Sequence, residues 1–260
     1  MTGLTSALRI GTKGLSVAQT SLATVSHNVV NANTPGFSRQ VVQANATAID
    51  GFGTGVELGS IQRISDRFIT LRAIQASSDA EYATTRQTYL NTLEGVITGS
   101  SAQGGLDTIA ADFFNSVTEL SNDPSNSALK RNVVQQADLL ASTVRDIDTD
   151  LTATATDADN AITADIAVIN QLLKDIANLN DQIVSVSLGR TDGGNGNDLK
   201  DARDVKVAEL AKTMKLQVAE NGASGAVRIT LENGRRLVDD AGYVQMKRVA
   251  GMPYQGIAVQ

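Results

Sequence analysis

The 260-residue chain contains no cysteine, one histidine, no tryptophan and 3% aromatic residues. Without cysteine there is no thiol catalysis, no disulfide and no Cys/His zinc site. Ser–His–Asp chemistry would have to run through His27 alone. Five Phe and four Tyr are few for a compact enzyme core of this length, because aromatic rings carry so much burial. A net charge of −6 disfavours nucleic-acid binding and a polybasic membrane surface. No apolar run is long enough for a transmembrane helix, and no basic n-region leads into an apolar core as in a secretory signal. Acidic residues are missing from the first 49 positions, where Arg9, Lys13 and Arg39 are the only bases. That stretch carries +3 and the rest of the chain −9. Two bases in the first 38 residues are too few for a transit peptide. Any exit from the cell is therefore expected to use a route without a cleaved signal.

What is present is periodicity. Leu4, Leu8, Gly11, Leu15, Ala18, Leu22, Val25 and Val29 alternate spacings of four and three, a heptad seam that predicts a helix over 4–29. Its other faces carry Thr, Ser, Ala, Gln, Asn and Gly and only two charges, a surface suited either to the interior of an assembly or to an ordinary core helix. Thr34-Pro35-Gly36 then predicts a type II turn. Residues 37–48 read as extended, 51–55 as a glycine-rich loop and 56–58 as a short extended piece. Helical spacing resumes near residue 63 with Ile64, Phe68, Leu71, Gln75, Ser78, Tyr82, Tyr89, Leu93 and Val96, and breaks at 99–105. A short helix carries Leu106, Ile109, Phe113, Val117 and Leu120 up to Asn122-Asp123-Pro124. The longest periodic stretch, 125–186, would reach roughly 90 Å if continuous, at a rise of about 1.5 Å per residue. Residues 152–161, which lack large apolar side chains, are the expected place for a break or bend. After the Gly/Asn-rich 189–197, Asn197 or Asp198 is expected to cap a helix to about Met214. The period then falls to two through 216–219, 226–231, 236–238 and 243–248, an antiparallel meander with an Asn233-Gly234 turn. The chain stops at 257–260 on what reads as a further strand, as expected of a piece of a longer chain. The fold class is mainly α: long helical rod or coiled coil with a small antiparallel β part at the C-terminal end.

Constellations with chemical potential are few. His27 has no acidic neighbour in sequence and reads as polar packing. Gly193-Gly194-Asn195-Gly196-Asn197-Asp198 begins like a nonapeptide Ca²⁺ repeat, but Lys200 occupies the apolar slot and the motif occurs once. As an EF-hand loop from Asp192 it would offer Gly194 and Gly196 where side-chain ligands are needed. No phosphate-binding glycine motif follows a strand. No catalytic residue, cofactor or metal is expected, and the chain does not read as an enzyme.

The helix followed by His27-Asn28-Val29-Val30-Asn31-Ala32-Asn33-Thr34-Pro35-Gly36-Phe37-Ser38-Arg39-Gln40 resembles the bacterial flagellar axial proteins, whose signature is roughly NNIAN-x-NTPG[FY]. It departs mildly, with His27 for Asn, Val30 for Ala and Phe37 for Tyr. Ser38-Arg39-Gln40 looks like the hook-associated protein 1 branch, where rod and hook proteins usually continue with Lys. Asn197-Asp198-Leu199-Lys200-Asp201-Ala202-Arg203-Asp204 and Gly234-Arg235-Arg236-Leu237-Val238 are similar to that branch's DLxDxRD helix and the hairpin after it. The resemblance implies three parts: 1–60 an inner-tube helix and extended connector, 61–214 a helical rod domain, and 215–260 the start of an outer β domain. It implies a structural junction between hook and filament in the extracellular flagellum, built by type III export and self-assembly into a ring of about a helical turn. The implied partners are other copies, the hook protein below and a second junction protein (hook-associated protein 3) above, with no nucleic acid and no membrane insertion. Residues Leu4, Leu8, Leu15, Ala18, Leu22, Val25 and Val29 would form the assembly seam. Asn28, Asn31, Asn33, Thr34, Pro35, Gly36, Phe37, Ser38, Arg39 and Gln40 would form the axial motif; Phe37 and Arg39 would fix the segment leaving the inner helix, and Pro35 and Gly36 would set its direction. Alternatives are a rod or hook subunit and, from another class, a secreted Ca²⁺-binding module using 192–204.

Overall fold

The computed structural model describes residues 2–49, 52–99, 104–189, 196–222, 224–240, 242–248 and 257–259. Glycines 193 and 194 and Asn195, central to the Ca²⁺-like motif, lie outside them. Helices are α1 (Thr2–Val30), α2 (Arg67–Thr98), α3 (Leu106–Asn122), α4 (Ser127–Gly189) and α5 (Asn197–Thr213). Strands are β1 (Gln40–Ile49), β2 (Phe52–Arg63), β3 (Gln217–Glu220), β4 (Val227–Thr230), β5 (Arg236–Asp239), β6 (Gly242–Tyr243), β7 (Met246–Arg248) and β8 (Ile257–Val259). The long helices and small C-terminal antiparallel sheet are the mainly α class that the periodicity predicts. The chain divides into two compact units, one of Met1–Ala80 with Ile166–Gln260 and one of Glu81–Asp165.

In the first unit the core is a helix-on-sheet layer. Ile166, Ile169, Leu173 and Ile176 of α4 and Val207 and Leu210 of α5 meet Val227, Ile229, Leu237 and Val238 of the meander. Each such side chain, fully buried, contributes roughly 1.5–3 kcal/mol. Two asparagines of α4 fasten the strands. Asn180, 1% exposed, donates from Nδ2 to the Val227 carbonyl at 2.8 Å and accepts from the Val227 N–H at 3.0 Å. Asn170 does the same to Met246, at 2.9 and 2.8 Å. The sheet runs β3-β4-β5-β6, all antiparallel. Sequence pattern alone joins 243–248 into one strand, whereas the structure ends β6 at Tyr243 and starts β7 at Met246, paired with β8. Val244 still donates to the Leu237 carbonyl, and the chain then leaves the sheet for Asn170.

The other half of this unit also departs from the sequence pattern. Residues 51–55 read as a loop, yet Phe52–Gly55 belongs to β2, and β1–β2 is a long hairpin with register shifts at Gln43/Ala44 and Thr47/Ala48. Gly55, at φ +106°, accommodates one irregularity and lets Ile10 of α1 approach the strand. Helical pattern near residue 63 is also misleading: Ile64 donates to the Arg39 carbonyl as part of the hairpin, and α2 begins only after Asp66, whose side chain accepts the Ile69 N–H at 3.1 Å. Phe68, on the stripe read from sequence, is exposed, and Ile74 packs on the core instead.

In the second unit α3 turns Ile109 and Ser116 inward, and Asn126 caps α4 by accepting from the Ala128 N–H at 2.9 Å. The break expected at 152–161 is absent: α4 is one helix. Thr154 and Thr156 donate to the carbonyls of Asp150 and Thr152, so their hydroxyls are satisfied inside the helix, and no Gly or Pro interrupts it. No described helix is long and apolar enough to cross a membrane.

Asn180→Ala should therefore cost about 2 kcal/mol in urea denaturation, since it strands two buried backbone groups of Val227. Thr156→Ala, at an exposed position, should stay within about 0.5 kcal/mol.

Candidate functional site

The site is built where the segment after α1 meets the first turns of α5, both in the first unit. Asn28, in the last turns of α1, donates from Nδ2 to the Gln40 carbonyl and accepts from the Gln40 N–H, both at 2.8 Å. This two-way amide pair closes residues 28–40 into a loop. Within it Asn31 Nδ2 donates to the His27 carbonyl and Thr34 Oγ1 to Asn31 Oδ1. Phe37 N–H donates to the Thr34 carbonyl with Gly36 at φ +80°, the expected type II turn. A β-carbon on Gly36 would overlap Val205 of α5, so glycine is required there by both conformation and close approach.

Carboxylates of α5 hold the loop. Asp201, buried, accepts the Ser38 N–H on Oδ2 at 2.8 Å. Its Oδ1 accepts from Arg63 Nη1 at 3.0 Å, and the same nitrogen donates to Asp204 Oδ2 at 2.7 Å. Asp204 Oδ1 accepts from Nε and Nη2 of Arg203, a side chain 1% exposed whose Nη1 donates to the Gly225 carbonyl at 2.6 Å. Asp198 Oδ1 accepts from Gln40 Nε2 at 2.6 Å, and its Oδ2 lies 3.5 Å from His27 Nε2. Asn197 Nδ2 donates to the Ile61 carbonyl at 2.8 Å. Neither Asn197 nor Asp198 caps α5, contrary to the sequence expectation; the cap position is Gly196, with no side-chain cap. Burial works against the charge of Arg63, but Asp204 and Asp201 outweigh it and hold the guanidinium above its ordinary range. Burial also lowers the Lys200 ammonium, a shift that Glu220 opposes and that Arg63 and Arg203 reinforce.

His27, remote from acids in sequence, thus has Asp198 beside it, and its ring meets Phe37 edge-on with centroids 5.4 Å apart. Asn33, Thr34, Pro35 and Gly36 are exposed, as is Arg39, which uses its backbone carbonyl to receive Ile64. The seam lies elsewhere. Leu4, Leu8, Leu15, Ala18, Leu22, Val25 and Val29 are all exposed, Leu4 at 80% and Leu22 at 69%. The face of α1 turned to the hairpin is the polar one, with Val17, Ser21, Thr24 and Asn28 about one residue round from the seam. Ser21 and Thr24 donate to the helix's own carbonyls at Val17 and Thr20, which lets hydroxyls pack without stranded donors.

Nothing here resembles a reaction centre: every carboxylate named is engaged with an amide, a guanidinium or the imidazole. Among the described residues no group of three acids or imidazoles is placed to hold a metal. The arrangement is a clamp. Sequence reading singles out 28–40 and 197–204 separately, and the fold brings them together. It misses Arg63, whose one available signal is the i, i+3 spacing of Asp201 and Asp204, a doubled negative face that calls for a cation.

Comparison with known proteins meets at the same place. Residues 90–259, well over half of the chain, match the model of the flagellar hook-associated protein FlgK helical domain. The chain belongs to the FlgK family of flagellar hook-associated proteins. Residues 8–37 also match the flagella basal body rod protein model, so the clamp joins a segment similar to rod proteins to the FlgK helical domain. Relatives named flagellar hook-associated protein 1 include those of Salmonella typhimurium, 33% identical over 91% of this chain and 43% of the relative, and Bacillus subtilis, 29% identical over 86% and 46%. The chain thus spans less than half the length of these FlgK relatives. The flagellar hook junction protein FlgK from Burkholderia pseudomallei shares the fold, with a TM-score of 0.58 over 71% of this chain and 31% of that one, at 23% identity.

Arg63→Ala should destabilise the first unit by about 3 kcal/mol in urea denaturation, because Asp201 stays buried without its cation. Adding Asp201→Asn should recover part of that loss, and strict additivity would count against the pairing.

Proposed function

We propose that the chain is the N-terminal part of a non-enzymatic structural subunit forming the junction between hook and filament. The observation that carries this reading is the reversed polarity of α1. An apolar seam faces solvent while a hydroxyl-bearing face packs on the hairpin, and a contiguous exposed apolar stripe of this kind marks an interface. The clamp on α5 supports it, since it sets where the stripe is presented relative to the core of its own unit. The FlgK family match and the names of the relatives support a place in the flagellum. In this reading the subunit is exported to the extracellular flagellum and closes a ring of about a helical turn. The hook protein lies on one side and the second junction protein, hook-associated protein 3, on the other. Residues 1–60 form the inner-tube helix and connector, 61–214 the helical rod part, and 215–260 the start of an outer β domain. The seam residues and the motif 28–40 serve assembly.

A rod or hook subunit is the second reading, favoured by the rod-protein match over 8–37 alone. Electron microscopy of cells lacking the gene separates the two. Hooks without filaments, with flagellin lost to the medium, fit the junction; missing hooks would move the subunit inward.

Replacing Leu15 and Leu22 with Asp should leave the melting temperature of the purified chain within about 2 °C, as expected of exposed positions. The same double variant in the cell should abolish swimming. Normal filaments on that strain would sink the seam as an assembly surface.

A further inference from the structure

We propose that docking of residues 36–40 on α5 is coupled to the backbone conformation at Gly225, in the β3–β4 connection, through a chain of buried and half-buried charged groups. The coupling is a property of this unit alone and stands or falls independently of the junction role.

The links are on a single path. Ser38 N–H binds Asp201 Oδ2; Asp201 Oδ1 and Asp204 Oδ2 share one nitrogen of Arg63; Asp204 Oδ1 binds Arg203; and Arg203 Nη1 binds the Gly225 carbonyl. Asp201 and Arg203 are buried, so neither can be left unpaired without a large penalty, and a change at one must be met by its neighbour. If Ser38 departs, Asp201 loses its backbone donor and draws Arg63 more fully to itself. Asp204, sharing the same Nη1, then turns toward Arg203, and the guanidinium shifts off Gly225. A cavity of about 240 Å³ lined by Arg63, Arg203, Asp204, Glu220 and Val227 gives these side chains room to rearrange rather than jam. Gly225 is suited to receive the motion. It sits at φ +74° beside the Lys200 side chain, donates to the Asn221 carbonyl, and lies next to Ala226, whose carbonyl receives the Asn221 N–H. Coupling of this kind needs a demonstrated response at both ends.

Amide hydrogen exchange on the purified full chain, resolved by residue, supplies it. Gly36→Ala, which pushes the segment off Val205, should accelerate exchange at Ser38, Gly225 and Asn221 about tenfold while leaving Leu173 of the core unchanged. Arg63→Met keeps the apolar stem but donates to neither carboxylate. In that background Gly36→Ala should alter Gly225 by less than about twofold. Should Ser38 fail to respond to Gly36→Ala, Asp201→Ala removes the acceptor of the Ser38 N–H from the α5 side and carries the same expectation. The proposal is overturned by faster exchange at Ser38 with none at Gly225. An equal factor in both backgrounds, or an acceleration shared by Leu173, also overturns it.

Discussion

Two aspartates three residues apart on α5 and one arginine at the end of a strand join the hairpin and the loop after α1 to the rest of the first unit. Asp201 and Asp204 would repel each other and Asp201 would resist burial; Arg63 makes both tolerable, and they in turn stabilise its guanidinium in a half-dry setting. From that cluster one line leads to the Ser38 backbone and the axial loop, and another leads through Arg203 to Gly225 and the meander. The hairpin, α5 and the loop after α1 share no continuous apolar core comparable to that between α4, α5 and the sheet. Their mutual placement therefore depends on directional polar contacts. Such contacts are weak in sum but unforgiving in geometry, which suits a segment that must be aimed rather than merely covered.

The helix α1 follows from the same division. A free amphipathic helix turns its oily side to its own core. Here that side is left out, and the side that packs mixes Ile10 and Val17 with Ser21 and Thr24, whose hydroxyls are satisfied within the helix, and Asn28, which binds Gln40. Close approach at Gly55 and the paired amides of Asn28 and Gln40 replace apolar burial as the means of attachment. In the function proposed above, a seam withheld from the protein's own core is the surface that neighbouring subunits bury.

Legibility in the sequence varied with the physics of each element. Helices α3, α4 and α5 and the four-stranded meander were readable because their burial is one-sided and periodic. The hairpin was readable only in part: 37–48 and 56–58 have extended character, but Gly53 and Gly55 mimic a loop while lying inside β2, where Gly55 meets Ile10. The expected break at 152–161 failed for the opposite reason. Threonine lowers helix propensity, but its hydroxyl can bond back to the preceding turn, and a helix without Gly or Pro tolerates the loss of large side chains there. The role of Asn197 and Asp198 was misread because a polar residue at a helix start looks like a cap whether it bonds its own helix or another segment.

By itself the sequence determined the heptad seam of 4–29, the Pro35-Gly36 turn, the helical and β periods and the absence of cysteine chemistry. All of these are local properties of spacing and backbone freedom. Only the tertiary structure decided that the seam faces outward, that motifs some 160 residues apart form one clamp, and that Arg63 is its centre. Those facts rest on long-range contacts, α1 on the hairpin and carboxylates of α5 on Ser38 and Arg63, whose partners are chosen by the packing of the unit and leave no period in the chain.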